Sequence, residues 1–361
     1  MNIGSTKELA PEKRISITPD TSKSLKNLGL SIFLEKGYGE SLGYNDNLYK
    51  ENGVEILNSP EDVLSKSNLI CKVNFPNSKE FNLIKENSHL IISNYNPEKE
   101  KELLNDKIKI YALNLLPRIT RAQSMDVLSS QANLAGYRAV IESIYEYQKA
   151  VPMMMTAAGT VPAAKVLVVG AGVAGLQAIA TAKRLGAIVS ATDVRLAAKE
   201  QVESLGGKFL TVEGSENLET TGGYAKEASE DFKKKQAQML ENAASKSDII
   251  ICTALIPGRP APRIITEKMV DNMKPGSVIF DLAATQGGNS AYSEIDKIVN
   301  KNGVKIIGVS NLMNKLPLTA SNLYAKNIFS FIRNLYSREK KEFIVNLEDE
   351  IIKNTLLKKG S

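Results

Sequence analysis

A glycine turn between two apolar runs is the feature of the sequence that most clearly indicates chemistry. Residues 165–193 are KVLVVGAGVAGLQAIATAKRLGAIVSATD, and their order predicts a strand, a tight turn, a helix and a second strand. In such a unit Gly170 permits the turn, Gly172 lets the backbone approach a pyrophosphate, and Gly175 lets the helix pack closely on the strand. The helix N-terminus presents N–H groups and a partial positive charge to phosphates.

The acid at the end of the second predicted strand indicates which nucleotide is bound. A carboxylate at this position accepts a hydrogen bond from a ribose 2′-hydroxyl and repels a 2′-phosphate, so Asp193 favours NAD(H) over NADP(H). The alternative is that the glycines serve close packing only and that the acid is a solvated strand end.

Two further loops follow predicted strands and should lie at the same edge of the sheet. They are T-A-L-I-P-G-R-P-A-P at 253–262 and D-L-A-A-T-Q-G-G-N at 281–289, and ordinary turns are the alternative for both. Ligands of open α/β sheets bind at the carboxyl ends of the strands. The predicted nucleotide-binding residues of these segments are therefore Gly170, Ala171, Gly172, Val173, Ala174, Gly175, Asp193, Val194, Arg195, Thr253, Ala254 and Leu255.

A polar group precedes this unit, in P-R-I-T-R-A-Q-S-M-D-V-L-S-S at 117–130. Asp126 and Ser129 are three residues apart and share a face if a helix has begun, with Gln123 about one turn earlier. A carboxylate in a first helical turn is favoured by the helix dipole. Ser124 could equally be a plain N-cap, so spacing alone leaves a functional and a structural interpretation open.

The elements that position these groups alternate between strand and helix, which predicts two doubly wound, Rossmann-like α/β domains joined by long linker helices. We place the first domain at 1–130 with 321–361, and the second at 131–320 with a linker helix at 131–150. The pattern predicts one helix over 120–149 with two apolar faces, and a helical return over 321–351. Helices are also predicted at 20–28, 44–52 and 196–205, and strands at 30–35, 69–73, 90–93, 108–113, 208–211, 248–253, 277–281 and 305–308.

The apolar stretch M-M-M-T-A-A-G-T-V, at 153–161, predicts a hairpin. Either it makes a homodimer contact or it is a plain core segment. The sequence does not decide between the two.

Composition excludes several classes of function. The net charge of +6 comes from 46 basic and 40 acidic residues that are interspersed, so no basic face for nucleic acid is predicted, and the compact run 233–235 is expected to be a solvated helix face. A single histidine, His89, excludes a multi-histidine metal site, and we predict no metal. Cys71 and Cys252 have no metal spacing and suit a reducing compartment.

No targeting segment or membrane span is expected. Residues 1–14 are polar and charged, unlike a signal peptide. The longest charge-free apolar stretch, between Lys165 and Lys183, is short for a span and is better explained by the nucleotide unit.

Taken together, these segments resemble the NAD(H)-binding component, domain I, of the proton-translocating NAD(P) transhydrogenase α subunit. The resemblance spans nearly the whole chain and is most specific over 117–140 and 152–187, with G-G-Y-A-K-E, A-L-I-P-G-R-P-A-P and K-P-G-S-V-I-F-D-L-A beyond. The segment P-E-K-R-I-S-I-T-P is similar to the wider alanine dehydrogenase superfamily. The stretch Met313-Asn314-Lys315 departs from the family's Pro-Ser-Arg, so the family's local contacts are not carried over to it.

The resemblance implies a site and a reaction. In the family the nicotinamide is held by residues that correspond here to Arg118, Gln123, Asp126 and Ser129, and a mobile-loop tyrosine corresponds to Tyr224, next to Gly223. NAD(H) binds this component, NADP(H) binds a partner component, and hydride passes directly between the two nicotinamides, coupled to proton translocation. A soluble, homodimeric subunit is implied, cytoplasmic and peripheral on the inner membrane through membrane-spanning and NADP(H)-binding partners.

Two rival functions remain. An alanine dehydrogenase-like oxidoreductase would use Arg14 and Lys72 as substrate contacts, but its catalytic histidine and aspartate would correspond to Tyr95 and Thr285. The absence of both acid–base groups argues against it. A non-catalytic NAD-sensing protein would retain the glycine turn and Asp193 without needing a polar group at the nicotinamide.

Overall fold

The computed structural model describes residues 1–212, 230–255 and 259–358, and at 230–233 it describes the backbone alone. The chain forms two compact units, 1–131 with 313–361 and 132–312. The limits expected from the sequence, 1–130 with 321–361 and 131–320, remain a prediction about independently folding domains.

The first unit is built on a six-stranded parallel sheet. Its strands are β1 (Asn2–Ser5), β2 (Ser31–Glu35), β3 (Glu55–Leu57), β4 (Leu69–Cys71), β5 (His89–Ile92) and β6 (Lys109–Ala112). Their order in the sheet is β3-β2-β1-β4-β5-β6. The helices between them are α1 (Pro19–Asn27), α2 (Asp46–Glu51), α3 (Pro60–Lys66), α4 (Ser78–Leu83) and α5 (Pro97–Glu100).

Strand β1 is a central strand of this sheet, and the sequence pattern did not predict it. Its polar residues hid it, yet they are satisfied by residues distant in sequence: Ser5 donates to the Cys71 carbonyl (2.6 Å) and the Asn2 N–H donates to Asn68 Oδ1 (3.0 Å). A side chain at Gly4 would meet Ser67 Oγ at 2.0 Å, so the end of the helix that follows β3 lies too close for any residue but glycine.

The second unit begins within the long helix α6 (Val127–Tyr147) and holds a seven-stranded sheet. A hairpin, β7 (Met154–Thr156) and β8 (Gly159–Val161), precedes the sheet. The sheet strands are β9 (Lys165–Val169), β10 (Ile188–Thr192), β11 (Lys208–Phe209), β12 (Ile249–Cys252), β13 (Val278–Asp281), β14 (Lys297–Lys301) and β15 (Val304–Gly308). The helices are α7 (Val173–Arg184), α8 (Ala198–Ser204), α9 (Glu230–Ala244) and α10 (Glu267–Asp271).

In the strand order β11-β10-β9-β12-β13-β15-β14, the direction in which successive strands are added reverses between β9 and β12. All neighbours are parallel except β14, an antiparallel edge strand that was not predicted. In such sheets ligands bind at the reversal point, where the loops after β9 and β12 diverge. The predicted α/β class with two doubly wound sheets is confirmed.

The chain then returns to the first unit through α11 (Pro317–Leu335), a short hairpin of β16 (Tyr336–Ser337) and β17 (Glu342–Phe343), and α12 (Glu350–Thr355). The prediction of helix throughout 321–351 is wrong over this hairpin. The aromatic rings of Tyr336 and Phe343 pair across it, with centroids 5.5 Å apart. Lys341 takes a positive φ of 53° at the turn, which breaks the helical pattern.

His89, the single histidine of the sequence, lies in the core of the first unit. It is 5% exposed and stacks on Tyr111, whose hydroxyl lies 3.1 Å from Nδ1. Burial lowers the pKa of His89 to about 4. A neutral, enclosed imidazole of this kind packs the sheet and is not placed to exchange protons with a substrate.

Within the described residues, no helix is both long and apolar enough to cross a membrane. The same part of the chain contains no cluster of three or more histidine, cysteine or acidic residues arranged to hold a metal ion.

Candidate nucleotide site

The glycines of the turn after β9 are required for different reasons. Gly170 has φ of 95°, the left-handed region that favours glycine. A side chain at Gly175 would lie 1.9 Å from the Gly170 carbonyl oxygen, so glycine lets the first turn of α7 sit directly on the turn. Gly172 has an ordinary φ of −76°, and nothing of the described chain lies within 4 Å of the place its Cβ would take. The backbone at Gly172 is therefore open to an approaching ligand.

Helix α7 opens toward that free space. Gly172 is its N-cap and contributes no capping side chain, so the first N–H groups of a 12-residue helix point outward with the positive end of the dipole. On its other side the helix start is fixed by α6. A Cβ on Gly136 would lie 2.0 Å from the Ala174 carbonyl oxygen, and the two backbones are therefore in contact.

Asp193 lies just after β10, where the sequence predicts the ribose acid. Its Oδ2 accepts from the Ala171 N–H (2.7 Å), and its Oδ1 accepts from the Arg195 N–H (2.9 Å). The Arg195 side chain adds Nε to Oδ1 (2.9 Å) and Nη2 to Oδ2 (3.0 Å). Burial raises the pKa of Asp193, but the hydrogen bonds from Arg195 and Ala171 outweigh it, and the net pKa lies below the ordinary value.

The loop after β12 is tied to the glycine turn. Thr253 donates its hydroxyl to the Gly170 carbonyl (2.9 Å), and the same hydroxyl would lie 2.7 Å from a Cβ on Gly170. Ala254 follows against the turn, and Leu255 is 42% exposed. The predicted residues Thr253 and Ala254 thus lie beside Gly170, while residues 256–258 of this loop are outside the described part of the chain.

Asn289 holds that loop in place, and the sequence pattern indicated no role of its own for it. It is fully buried, accepts from the Ala254 N–H (3.0 Å) and donates to the carbonyls of Ala254 (2.8 Å) and Pro262 (2.9 Å). The one signal for it was its position at the end of the predicted loop 281–289. Asp281, also buried, accepts from the N–H groups of Ala283 and Ser290 (both 2.9 Å) and shapes the same loop.

The polar group at 118–129 lies in the first unit. The predicted single helix over 120–149 is wrong at its start: residues Thr120–Met125 form a 3-10 helix, and α6 begins only at Val127. Asp126 is extended and caps α6, accepting the Ser129 N–H (2.9 Å) and hydroxyl (2.5 Å). Gln123 and Arg118 are exposed, and the Gln123 carbonyl accepts the Asp126 N–H (3.3 Å).

The capping interpretation is thus correct in kind but applies to Asp126 and not to Ser124. Asn327 of α11, which was not predicted, holds the segment 124–130 in place. It donates to the Ser124 carbonyl (2.9 Å) and accepts the Ser130 hydroxyl (2.7 Å). Of the four predicted nicotinamide residues, Asp126 and Ser129 are in direct contact.

Gly223 and Tyr224, the predicted mobile-loop residues, lie outside the described residues. Val173 is 42% exposed at the start of α7, and Val194 lies between the bonded pair Asp193 and Arg195.

A buried charged cluster in the first unit surrounds Lys72. This lysine is 2% exposed and donates to Thr6 Oγ1 (3.0 Å) and the Lys7 carbonyl (2.8 Å). Its Nζ also lies 3.3 Å from Glu80 Oε1 and 3.9 Å from Glu8 Oε1.

Arg14 likewise forms an ion pair with an acid of its own segment. It binds Glu12 through Nε (2.9 Å) and Nη2 (2.8 Å), and its Nη1 donates to Gln131 Oε1 (3.1 Å). The two cations that an alanine dehydrogenase would offer to its substrate are therefore each paired with carboxylates of this chain.

The departure at Met313-Asn314-Lys315 has a local explanation. Asn314 donates to the Pro11 carbonyl (2.7 Å) and accepts the Lys13 N–H (3.0 Å), so it ties the start of the return segment to the loop after β1.

Comparison with known proteins agrees with this geometry. The family model "Alanine dehydrogenase/PNT, N-terminal domain" matches residues 4–135, and "Alanine dehydrogenase/PNT, C-terminal domain" matches 139–361. A relative from Rhodospirillum rubrum, named as the first part of an NAD(P) transhydrogenase subunit alpha, is 51% identical over 98% of this chain and 95% of its own length.

Among solved structures, a transhydrogenase from Sinorhizobium meliloti is 45% identical, with a TM-score of 0.90 over 100% of this chain and 99% of the other. An L-alanine dehydrogenase shares the fold at 23% identity, with a TM-score of 0.82 over 99% of this chain and 94% of the other. The chain therefore belongs to the alanine dehydrogenase/PNT family and, within it, to the alpha subunits of NAD(P) transhydrogenase.

Proposed function

We propose that this chain is the NAD(H)-binding subunit of a proton-translocating NAD(P) transhydrogenase. In this proposal NAD(H) is its substrate, NADP(H) is bound by a partner component, and hydride passes directly from one nicotinamide to the other. The balance is simple: the reduced ring loses a hydride and becomes the oxidised nucleotide, while the oxidised ring gains the same hydride.

The observation that supports NAD(H) is the combination of Gly172 and Asp193. The turn leaves free space where Gly172 would otherwise carry a side chain, and α7 aims its N-terminus at that space. Asp193 stands at the end of the neighbouring strand β10 and already bonds the turn through Ala171. A pyrophosphate on the turn would place the adenosine ribose toward this acid.

The roles of Arg118, Gln123, Asp126 and Ser129 are proposed on the resemblance, with one supporting contact. Asp126 accepts both the N–H and the hydroxyl of Ser129, so the carboxylate has a fixed orientation and does not rotate freely. A preorganised carboxylate and its neighbours would orient the carboxamide of the nicotinamide ring. Hydride transfer needs such positioning and no general base on this chain.

Alanine oxidation is the second candidate, and the buried charges argue against it. Lys72 is enclosed by Glu80, Glu8, Thr6 and the Lys7 carbonyl, so a substrate carbonyl would have to displace partners that already satisfy the ammonium. The positions of the acid–base pair are Tyr95 and Thr285, and threonine supplies no proton-transfer group near neutral pH.

We further propose that the chain forms a homodimer through the β7–β8 hairpin and α6. Met153 and Met155 are 63% and 82% exposed, and Tyr145 on α6 is 78% exposed. The alternative of a plain core segment is wrong for the hairpin, whose strands are exposed within the chain. Large apolar side chains exposed within one short segment, such as Met153 and Met155, favour a protein interface.

The partners named above complete the proposal. Peripheral attachment to the cytoplasmic face of an inner membrane would come from membrane-spanning and NADP(H)-binding subunits and not from this chain. We propose no nucleic-acid partner and no metal.

Reconstitution tests the function. The chain is mixed with the membrane and NADP(H)-binding components of a bacterial transhydrogenase, and reduction of an NAD⁺ analogue by NADPH is followed at the absorbance of the reduced analogue. We expect turnover in the complete mixture and none when this chain is omitted. NADH oxidation by the chain alone, dependent on pyruvate and ammonium, would establish the alanine dehydrogenase instead. NADH binding without turnover in the mixture would favour a sensing protein.

A further inference from the structure

The carboxylate of Asp193 is saturated by protein donors. Each of its oxygens accepts two hydrogen bonds: Oδ1 from the N–H and Nε of Arg195, and Oδ2 from the Ala171 N–H and Nη2 of Arg195. An ionised carboxylate has about four lone-pair sites. A ribose hydroxyl therefore needs one of these donors to withdraw.

The donors differ in how easily they can withdraw. The N–H groups of Ala171 and Arg195 belong to backbone that is fixed by the glycine turn and by the end of β10. The Arg195 guanidinium is at the end of a long side chain that is 26% exposed, against 7% for Asp193. Of the four donors, the guanidinium is therefore the one that a ribose hydroxyl could displace most easily.

The Asp193–Arg195 ion pair also weakens the expected repulsion of a 2′-phosphate. Asp193 and Arg195 together carry no net charge, so simple repulsion of a 2′-phosphate is weaker than for a lone acid. A guanidinium with a planar fork of donors matches a phosphate as well as it matches a carboxylate. Dinucleotide sites that prefer NADP commonly use an arginine at this place, and sites that prefer NAD use an acid. This chain has both, two residues apart and bonded to each other.

We propose that Arg195 is a latent ligand for a 2′-phosphate and that Asp193 sets nucleotide selectivity by keeping this guanidinium engaged. The inference rests on the proposed function, because it concerns the same nucleotide site. The choice between NAD(H) and NADP(H) then depends on whether Asp193 or a 2′-phosphate holds the Arg195 guanidinium.

The test uses 5′-AMP and 2′,5′-ADP (adenosine 2′,5′-bisphosphate) as probes, since they differ only in the 2′-phosphate. Calorimetric titration of the full chain gives the ratio of the two affinities for the wild type, Asp193→Asn, Arg195→Gln and the double variant. In the wild type we expect 5′-AMP to bind more tightly. In Asp193→Asn we expect the ratio to move toward 2′,5′-ADP by about tenfold or more, the scale of one charge-assisted hydrogen bond. In the double variant that gain disappears.

Arg195→Gln keeps the acid and serves as the second arm. It should reject 2′,5′-ADP more strongly than the wild type does, so that the ratio of the two affinities moves further toward 5′-AMP. An equal gain for 2′,5′-ADP in Asp193→Asn and in the double variant would overturn the inference, because the cation would then have no part in it. Parallel losses of NADH affinity and thermal stability in Arg195→Gln would also overturn it, since they would make Arg195 a structural support of Asp193.

The proposed function and this inference fail in different ways. A wild-type chain that binds neither NADH nor 5′-AMP contradicts the function. A chain that binds both, but whose selectivity is indifferent to Arg195, contradicts only the inference. The gain in Asp193→Asn should also fall as salt is raised, because an exposed ion pair with phosphate is screened.

Discussion

Gly172 and Gly175 lie three residues apart, and the structure gives each a different reason to be glycine. At Gly175 the protein itself leaves no room, since a Cβ would meet the Gly170 carbonyl oxygen at 1.9 Å. At Gly172 the described chain imposes no such constraint, and we propose that the open space admits the pyrophosphate. Substitutions at these two positions can therefore distinguish an effect on ligand binding from an effect on folding.

We expect Gly172→Ala to lower the free energy of unfolding by no more than about 1 kcal/mol, because this is the usual effect of placing alanine at an N-cap. NADH affinity should fall by about tenfold or more, since a methyl group would stand where the pyrophosphate approaches. Calorimetry and denaturant unfolding measure the two effects.

Gly175→Ala is the matched control. It should lower the free energy of unfolding by about 2–3 kcal/mol, toward the upper end of ordinary overpacking, because the added methyl meets backbone that cannot rotate away. Wild-type NADH affinity in Gly172→Ala would contradict the assignment of the turn to the pyrophosphate.

Asp126 combines a structural and a proposed functional role, and two substitutions separate them. Asp126→Asn keeps an oxygen that accepts the Ser129 N–H and so keeps the cap of α6. Asp126→Ala loses the cap, at a cost of about 1 kcal/mol. We expect hydride transfer in the reconstituted enzyme to slow in both variants, by about tenfold or more if a charged hydrogen bond is lost.

The free energy of unfolding should fall in Asp126→Ala only, and NADH affinity should change little in either variant. Full transfer rate in Asp126→Asn would mean that Asp126 serves α6 alone.

At the scale of elements, strands and their loops were more predictable than the exact ends of helices. The βα alternation and the glycine turn predicted both sheets, because parallel strands are apolar and the turn chemistry is specific. Strand β1 was missed because its polar residues are satisfied by neighbours far along the chain, such as Asn68 and Cys71. The hairpin of β16 and β17 was missed because its short apolar positions also fit a helix.

The residues of the candidate site also include some that the sequence predicted and some that it did not. Gly170, Gly175 and Asp193 follow from local spacing and lie together as expected. Asn289 and Asn327 were not predicted, since each acts by bonding backbone atoms of another segment that only the folded chain brings near. No local pattern contains that information.

The loop between β1 and α1 carries Glu8 onto the end of β4, which gives the first unit a pH-dependent element. Glu8 accepts the N–H of Val73 (2.7 Å) and lies beside Lys72. Burial raises the pKa of Glu8 to about 7, although Lys72 and the backbone N–H groups of Val73 and Asn74 oppose the rise. The folded state therefore binds the Glu8 proton more tightly than the unfolded state, whose pKa is near 4.5.

It follows that the stabilisation associated with this proton is complete below about pH 4.5 and is lost as the pH rises through about 7. Between about pH 5 and pH 8 the wild type should lose up to about 3 kcal/mol relative to Glu8→Gln, which carries no titrating group there. Urea unfolding at the two pH values measures the difference. Glu55→Gln, at an exposed ion pair, is the control and should follow the wild type. Parallel pH dependence in the wild type and Glu8→Gln would show that Glu8 titrates normally.

At the scale of the whole molecule, the exposed methionines carry the proposal that two copies of the chain associate. We expect the wild type to sediment as a dimer at micromolar concentration. Met155→Glu should shift it toward monomer, because a charge at a side chain that is 82% exposed in the chain would be buried in the interface. Ile298→Glu on β14, 53% exposed, is the control and should remain dimeric. A dimer that is insensitive to Met155→Glu would place the interface elsewhere.

The central claim concerns the route of the hydride, and an isotope measures it directly. NADPH deuterated at the transferred C4 position is mixed with an NAD⁺ analogue, this chain and the partner components, and the reduced analogue is analysed by mass spectrometry. Direct transfer predicts that the deuterium appears in the reduced analogue, with none lost to water and none gained when the solvent is D₂O. Loss of the label to solvent, or its retention in NADPH while the chain turns over with pyruvate and ammonium, would contradict the account.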